Sequence, residues 1–102
     1  LSGAGSVIAN LQLALFEAVQ AGDLKRARAI HDRIYPCTCA FYDAPLVDMH
    51  NRMKHALVYL GRLPAAHVRP PLVTLGAEEI ARIRRCMDQA GLTPETAYAL
   101  VA

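Results

Sequence analysis

Cys37-Thr38-Cys39, with His31 upstream and Cys86 far downstream, is where metal chemistry has to be considered in this 102-residue sequence. A structural zinc site takes four ligands, usually as two pairs held by turns. Here the only further thiol is Cys86, there is no second pair, and a C-x-C on a helix points its thiols apart. The cysteines therefore read as small buried hydrophobes, and no metal or other cofactor is expected. Met49-His50-Asn51-Arg52-Met53-Lys54-His55 is the most polar cluster. On a helix Met49 and Met53 share a face and His50 meets Lys54 at i,i+4, but His50 and His55 do not share a face, so no helical His-His metal pair forms. The cluster reads as core methionines beneath a solvated polar face, with a packing or interface role for Arg52 and Lys54 as the alternative. Arg82, Arg84 and Arg85 spread around a helix, and Glu78 can pair with Arg82, which describes a solvated face better than a phosphate-binding stripe. Gly3-Ala4-Gly5 lacks the spacing of a dinucleotide loop and has no P-loop lysine after it. No Ser/His/Asp set and no carboxylate pair stands out.

The elements that would position these groups are helical. The pattern is helical from Val7; Leu11, Ala14, Leu15, Ala18 and Val19 form one apolar stripe after Asn10, a good N-cap type, and Gly22 supplies a stop. Asp23 caps a second helix whose inner face is Leu24, Ala27, Ile30, His31 and Ile34, with Lys25, Arg26, Arg28 and Arg33 mostly elsewhere. Pro36 predicts a kink or break, after which Cys37 to Tyr42 can resume as helix. Past Asp43-Ala44-Pro45, a third helix is expected from about Leu46 to Leu60 on the stripe Leu46, Met49, Met53, Ala56, Leu57 and Leu60, ended by Gly61. Arg62 to Gly76 carries Pro64, Pro70 and Pro71 and reads as an extended connection laid over a surface. A fourth helix, about Ala77 to Ala90, buries Ile80, Ile83, Met87 and Ala90 before Gly91, and Thr93-Pro94-Glu95 starts a short last turn. The only strand candidate is Ala4 to Ile8.

Composition limits the function classes. At 54% hydrophobic and 20% charged, the chain is too apolar for disorder and short enough for a single domain. A net charge of +2 argues for neither nucleic acid nor a membrane surface as partner. Three cysteines make no disulfide framework and fit a reducing cytoplasm. The uncharged run Leu1 to Phe16 is too short to span a membrane and lacks the basic start of a signal peptide. With Leu1 in place of an initiator Met, an internal start is expected.

The order of segments carries further information. Gly3-Ala4-Gly5-Ser6-Val7-Ile8-Ala9-Asn10 resembles the G-x-x-S-V-x-A-N segment of the dihydrodipicolinate synthase / N-acetylneuraminate lyase family. Ala21-Gly22-Asp23, Ala27-Arg28, Arg33, Pro36, Met53-Lys54, Ala56-Leu57, Leu60-Gly61, Val68-Arg69-Pro70-Pro71-Leu72 and Ala90-Gly91-Leu92 follow in the family's order. The resemblance implies a mainly α chain: a helical bundle corresponding to the last strand-helix unit and the C-terminal helical extension of a (β/α)₈ (TIM) barrel. Residues 1–22 would be the barrel remnant, with Leu1 to Ile8 as the eighth strand and its exit, and residues 23–102 the extension. It also implies class I aldolase or lyase chemistry on pyruvate or a related 2-oxo acid, through a Schiff base on a lysine. That lysine, its proton-relaying tyrosine and the carboxylate-binding loop all align before Leu1. Lys25 and Lys54, the only lysines here, align with helix positions outside the barrel. Gly5 alone falls beside the substrate pocket, where it offers backbone; a larger apolar residue is common there. Pro45 to Lys54 departs from the family's Asn-Pro pair, which marks a divergent subfamily. The expectation is an inactive C-terminal portion of such an enzyme, homo-oligomeric in its parent. The alternative is a stand-alone helical interaction or oligomerisation module without catalysis.

Overall fold

A computed structural model describes residues 3–96, and within them the order is α1 (Gly5–Gln20), α2 (Leu24–Phe41), a 3₁₀ turn (Leu46–Asp48), α3 (Met49–Tyr59) and α4 (Ala77–Gln89). The chain is mainly α, and the described residues contain no strand. Three of the four helices among the described residues, α1, α3 and α4, stop at a glycine. At Gly22 the chain turns left-handed, φ +73°, and Asp23 N–H returns to the Ala18 carbonyl at 2.9 Å while Gly22 N–H reaches Val19. This double closure satisfies carbonyls that the last helical turn leaves open, and only glycine enters that conformation without a Cβ penalty. Gly61 and Gly91 repeat it, through Arg62 N–H to Leu57 and Leu92 N–H to Met87. Asp23 caps α2 as expected, its carboxylate accepting from Arg26 N–H at 3.0 Å.

Two helix boundaries correct the sequence reading. Ala4 to Ile8 is not a strand; α1 begins at Gly5, five residues before Asn10, with one kink at Ile8 (φ −113°, ψ 26°). The Ala4 carbonyl accepts from both Val7 and Ile8 N–H, and the Ser6 hydroxyl donates back to Gly3 O at 3.0 Å. Val7 and Ile8 are buried on the helix, so burial overrides the strand preference of two β-branched residues. Asn10 accordingly lies inside α1 and does not cap it. Of the predicted eighth strand, Leu1 and Ser2 lie outside the described residues, and Gly3 and Ala4 form a turn. Pro36, in turn, does not break α2, which runs through it to Phe41. Cys37, Ala40 and Phe41 beyond the proline are all buried, and the apolar surface they hide offsets the single hydrogen bond that proline removes. Thr93 to Thr96 forms the expected short turn, Thr96 N–H donating to Thr93 O at 3.1 Å; the rest of that segment lies outside the described residues.

The core sits where the four helices face one another: Val7, Ile8, Leu11, Ala14 and Ala18 of α1, Ala27, Ile30, Cys37, Ala40 and Phe41 of α2, Met53 and Ala56 of α3, and Ile83, Cys86 and Met87 of α4. Leu60, Leu75, Ala90 and Leu92 close its ends. The outer limits of the predicted stripes are wrong. Val19, Leu24 and Leu46, at the ends of their helices, are exposed, and His31 in the middle of α2 lies on its outer face. Residues 62–76 hold no helix or strand and lie along α3, pinned by Lys54 Nζ to the His67 carbonyl at 2.5 Å and Asn51 Nδ2 to the Val73 carbonyl at 2.8 Å. These bonds satisfy two of the connection's backbone carbonyls.

Candidate functional site

The polar groups with chemistry in them gather around the start of α3. Arg52, expected first on a solvated face and alternatively in a packing or interface role, takes the packing role: it is one of the most deeply buried side chains in the molecule, 1% exposed. Its guanidinium makes four hydrogen bonds, using all three nitrogens. Nε donates to Glu79 Oε1 of α4 at 2.5 Å, Nη1 to the carbonyls of Phe41 (3.1 Å) and Asp43 (2.7 Å), and Nη2 to the Ala44 carbonyl (3.3 Å). These carbonyls are the open end of α2 and the loop after it, where a helix presents partial negative charge. Arg52 thus ties the end of α2 to the first turn of α4 from its seat on α3. The flat fork of donors allows one side chain to do this. At 1% exposure it is enclosed by these partners, which describes a structural tie.

The neighbours show the same structural use of charge. Arg82 pairs with Asp43 at 2.5 Å and not with Glu78, and it holds the Asp43 carboxyl below the ordinary carboxylate range, helped by Ala44 N–H. Asp43, Ala44, Glu78, Glu79, Arg82 and Arg85 line a surface groove whose opposite charges largely neutralise one another. Arg33, predicted to face away, reaches the C-terminus of α4, where Nε and Nη2 donate to the Ala90 carbonyl at 3.0 and 2.8 Å. That carbonyl belongs to the negative end of the helix dipole. Arg84 and Arg85 are exposed, as the sequence suggested. Tyr59 hydrogen-bonds Asp88, which raises the phenol's pKa above its usual 10.

Asn51 is fully buried, and its Oδ1 has no hydrogen-bond partner in the protein; one turn later, Nε2 of His55 is buried in the same condition. Burial, reinforced by the charge of Arg84, holds the His55 imidazole below its ordinary 6.5 against the opposing pull of Glu79. The folded state therefore prefers neutral His55, and its contribution to stability is complete above about pH 6.5 and is lost as pH falls from there through the lowered folded pKa. Thermal midpoints measured between pH 7.5 and 5.5 should fall on acidification, and His55→Gln should flatten the slope. An unchanged slope in that variant would assign the pH dependence to other groups. Asp43 does not confuse the window, because its depressed carboxyl gives up stability only below the ordinary 3.8.

The other sequence candidates are dispersed. Lys25 is exposed on α2, and Lys54 is spent on the His67 carbonyl. Gly5 is the first residue of α1, half-buried, and a Cβ there would meet only Gln12 Oε1, at 3.2 Å. Cys37 and Cys86 are buried as expected, whereas Cys39 is exposed. His31 sits with Asp32 and Tyr35 on the outer face of α2. Among the described residues no three His, Cys, Asp or Glu side chains are grouped to hold a metal ion, and no helix is long and apolar enough to cross a membrane. Sequence reasoning gave Arg52 a packing role only as the alternative and missed its partners. Its one sequence signal was a position between Asn51 and Met53, beside the core stripe, where a side chain can turn inward.

The surface of α1 carries the clearest unfilled contact. Leu13, Phe16 and Val19 are 58%, 61% and 51% exposed, and Leu24 follows at 70%. Leu13 and Phe16 lie three apart and Phe16 and Val19 three apart, so they make one outward apolar face opposite the core face.

Comparison with known proteins gives a consistent picture. The chain is 36% identical over 80 residues to the 4-hydroxy-tetrahydrodipicolinate synthase of Acidothermus cellulolyticus, a match covering 78% of this chain and 25% of that protein. It is 36% identical over 97 residues to the enzyme of the same name from Kineococcus radiotolerans (91% and 31%), and 33% identical over 99 residues to that of Syntrophus aciditrophicus (90% and 32%). The chain thus spans a quarter to a third of the length of the curated relatives it matches. No family model and no solved structure matches it.

Proposed function

Taking as premise that this chain belongs by sequence to the dihydrodipicolinate synthase family, we propose that it forms the C-terminal helical portion of a Schiff-base lyase or aldolase acting on pyruvate or a related 2-oxo acid. The observation that carries this reading is the shape of the match: nearly all of this chain aligns with under a third of each relative. In this reading residues 1–22 are the remnant of the last barrel strand and helix, and residues 23–102 the helical extension. The catalytic lysine is supplied by polypeptide outside these 102 residues. The enzyme assembles as a homo-oligomer in the cytoplasm and needs no cofactor.

Two features of the chain support the assignment of roles. An imine-forming lysine works at neutral pH when it is desolvated and aimed at a carbonyl. Lys25 stands in solvent and Lys54 holds a backbone carbonyl at the surface, so neither meets that requirement. The apolar face of Leu13, Phe16 and Val19 on α1 suits a helix packed on a larger body, as the last helix of a barrel would be. Gly5, by the same resemblance, stands near the substrate with only its backbone, and its lack of a side chain would enlarge the pocket for the substrate's distal part.

Borohydride trapping separates this reading from a stand-alone interaction module. The 102-residue chain incubated with pyruvate and borohydride should gain no mass. A polypeptide extended upstream of Leu1 in the same reading frame should contain a barrel and gain one reduced pyruvate, on a lysine outside these residues. A selective reduced adduct on Lys25 or Lys54 would overturn the assignment, and an upstream frame without a barrel would favour the module.

A further inference from the structure

Two cysteines far apart in sequence meet in the core between α2 and α4. Cys37 is fully buried and its Sγ donates to the Cys86 carbonyl at 3.3 Å; Cys86, 3% exposed, donates its own thiol to Ile83 O at 2.9 Å. The core residues on either side of this contact are small: Cys37 and Ala40 belong to α2 and Cys86 to α4. We propose that Cys37 and Cys86 are a redox pair that closes to a disulfide between α2 and α4 in the folded protein, oxidised by a small anionic disulfide.

Geometry and access both favour it. A disulfide needs Cβ atoms about 4 Å apart, and the Cys37 thiol already reaches the Cys86 main chain at 3.3 Å. A surface groove lined by Pro36, Cys39, Cys86, Arg82, Arg85 and Gln89 reaches the edge of the pair. Of its two guanidinium groups Arg82 is paired with Asp43, and the exposed Arg85 is the one placed to attract an anionic oxidant such as glutathione disulfide. The thiols themselves are unequal. Contact with Cys86 makes Cys37 the more acidic, while the same contact and burial hold Cys86 protonated, so the pair offers one better nucleophile and one reserve thiol. In the step itself, one thiolate of the pair attacks a sulfur of the small disulfide and expels its other half as a thiolate. The second cysteine then attacks the protein sulfur of that mixed disulfide and releases the remaining half. The two cysteines lose two electrons and two protons; the oxidant gains both and leaves as two thiols.

Cys39 is the natural control, because it is exposed and lines the same groove. The test uses the folded chain and its Cys39→Ser variant, each exposed to excess glutathione disulfide without denaturant, then alkylated and mapped by mass spectrometry. The expected result is a peptide linking Cys37 to Cys86 in both proteins, reversed by dithiothreitol. The linked form should melt roughly 10 °C or more higher, since the bridge closes a long loop of the unfolded chain. Absence of that linked peptide from the Cys39→Ser protein overturns the proposal. So do glutathione left on single cysteines, a bridge to Cys39, or a link that forms only after denaturation.

Discussion

Arg52→Ala is expected to destabilise the fold by about 3 kcal/mol or more. The side chain reaches Glu79 and the carbonyls of Phe41, Asp43 and Ala44 from a fully buried position. Truncation leaves a cavity and strips these acceptors of their donor, and the carbonyl of Phe41 lies too deep for easy rehydration. Glu79 is one-third exposed, so water recovers part of the loss at that end. Against a total of about 5–15 kcal/mol for a domain of this kind, the change should lower the denaturant midpoint severely. Arg52→Lys should recover only part of it, because a single ammonium cannot reach four acceptors spread around a planar fork. Urea unfolding of the three proteins, followed by helical circular dichroism, measures both differences. A midpoint for Arg52→Ala close to the parent's would mean that the end of α2 is held by something else.

Met53→Asp should be at least as damaging. Met53 is 3% exposed, at the centre of the α3 stripe, with Gly3 packed close enough that a Cβ there would touch its Sδ and Cε at 3.4 Å. A carboxylate in that place must either stay charged without a partner or take up a proton, and either choice costs several kcal/mol. The protein should be largely unfolded at 37 °C and recover partly at low pH, where the new carboxyl is neutral. A thermal midpoint within a degree or two of the parent's would show that the stripe is not core. The two substitutions are adjacent in sequence but point into different surroundings, one polar and one apolar, so each tests a separate part of the same helix.

Much of the architecture could be read from local chemistry. The stops at Gly22, Gly61 and Gly91, the cap at Asp23, the start of α4 near Ala77 and the core role of Met53, Ala56, Ile83 and Met87 all came from residue type and 3–4 spacing. Each of these is settled within one or two turns of chain, which is the range over which sequence acts directly. The family kinship was legible too, because it rests on the order of many weak landmarks along nearly the whole chain, each of which a local reading can see.

What tertiary structure decided lies at longer range. Whether Pro36 ends a helix depends on what Cys37, Ala40 and Phe41 can bury beyond it, and that depends on α4. Whether Val7 and Ile8 form a strand or a helix depends on the surface waiting to cover them. Arg52 carries the same charge as Arg84, yet one is enclosed and the other solvated. The difference is that α2 ends beside Arg52, presenting carbonyls that need donors, and no spacing within α3 encodes where another helix stops. Cys37 and Cys86, read along the chain as small buried hydrophobes, are brought into contact only by the packing of α2 on α4. Residue type and period determine which groups prefer burial, whereas the partner that makes the burial of a charge or a thiol affordable comes only from the packing of distant segments.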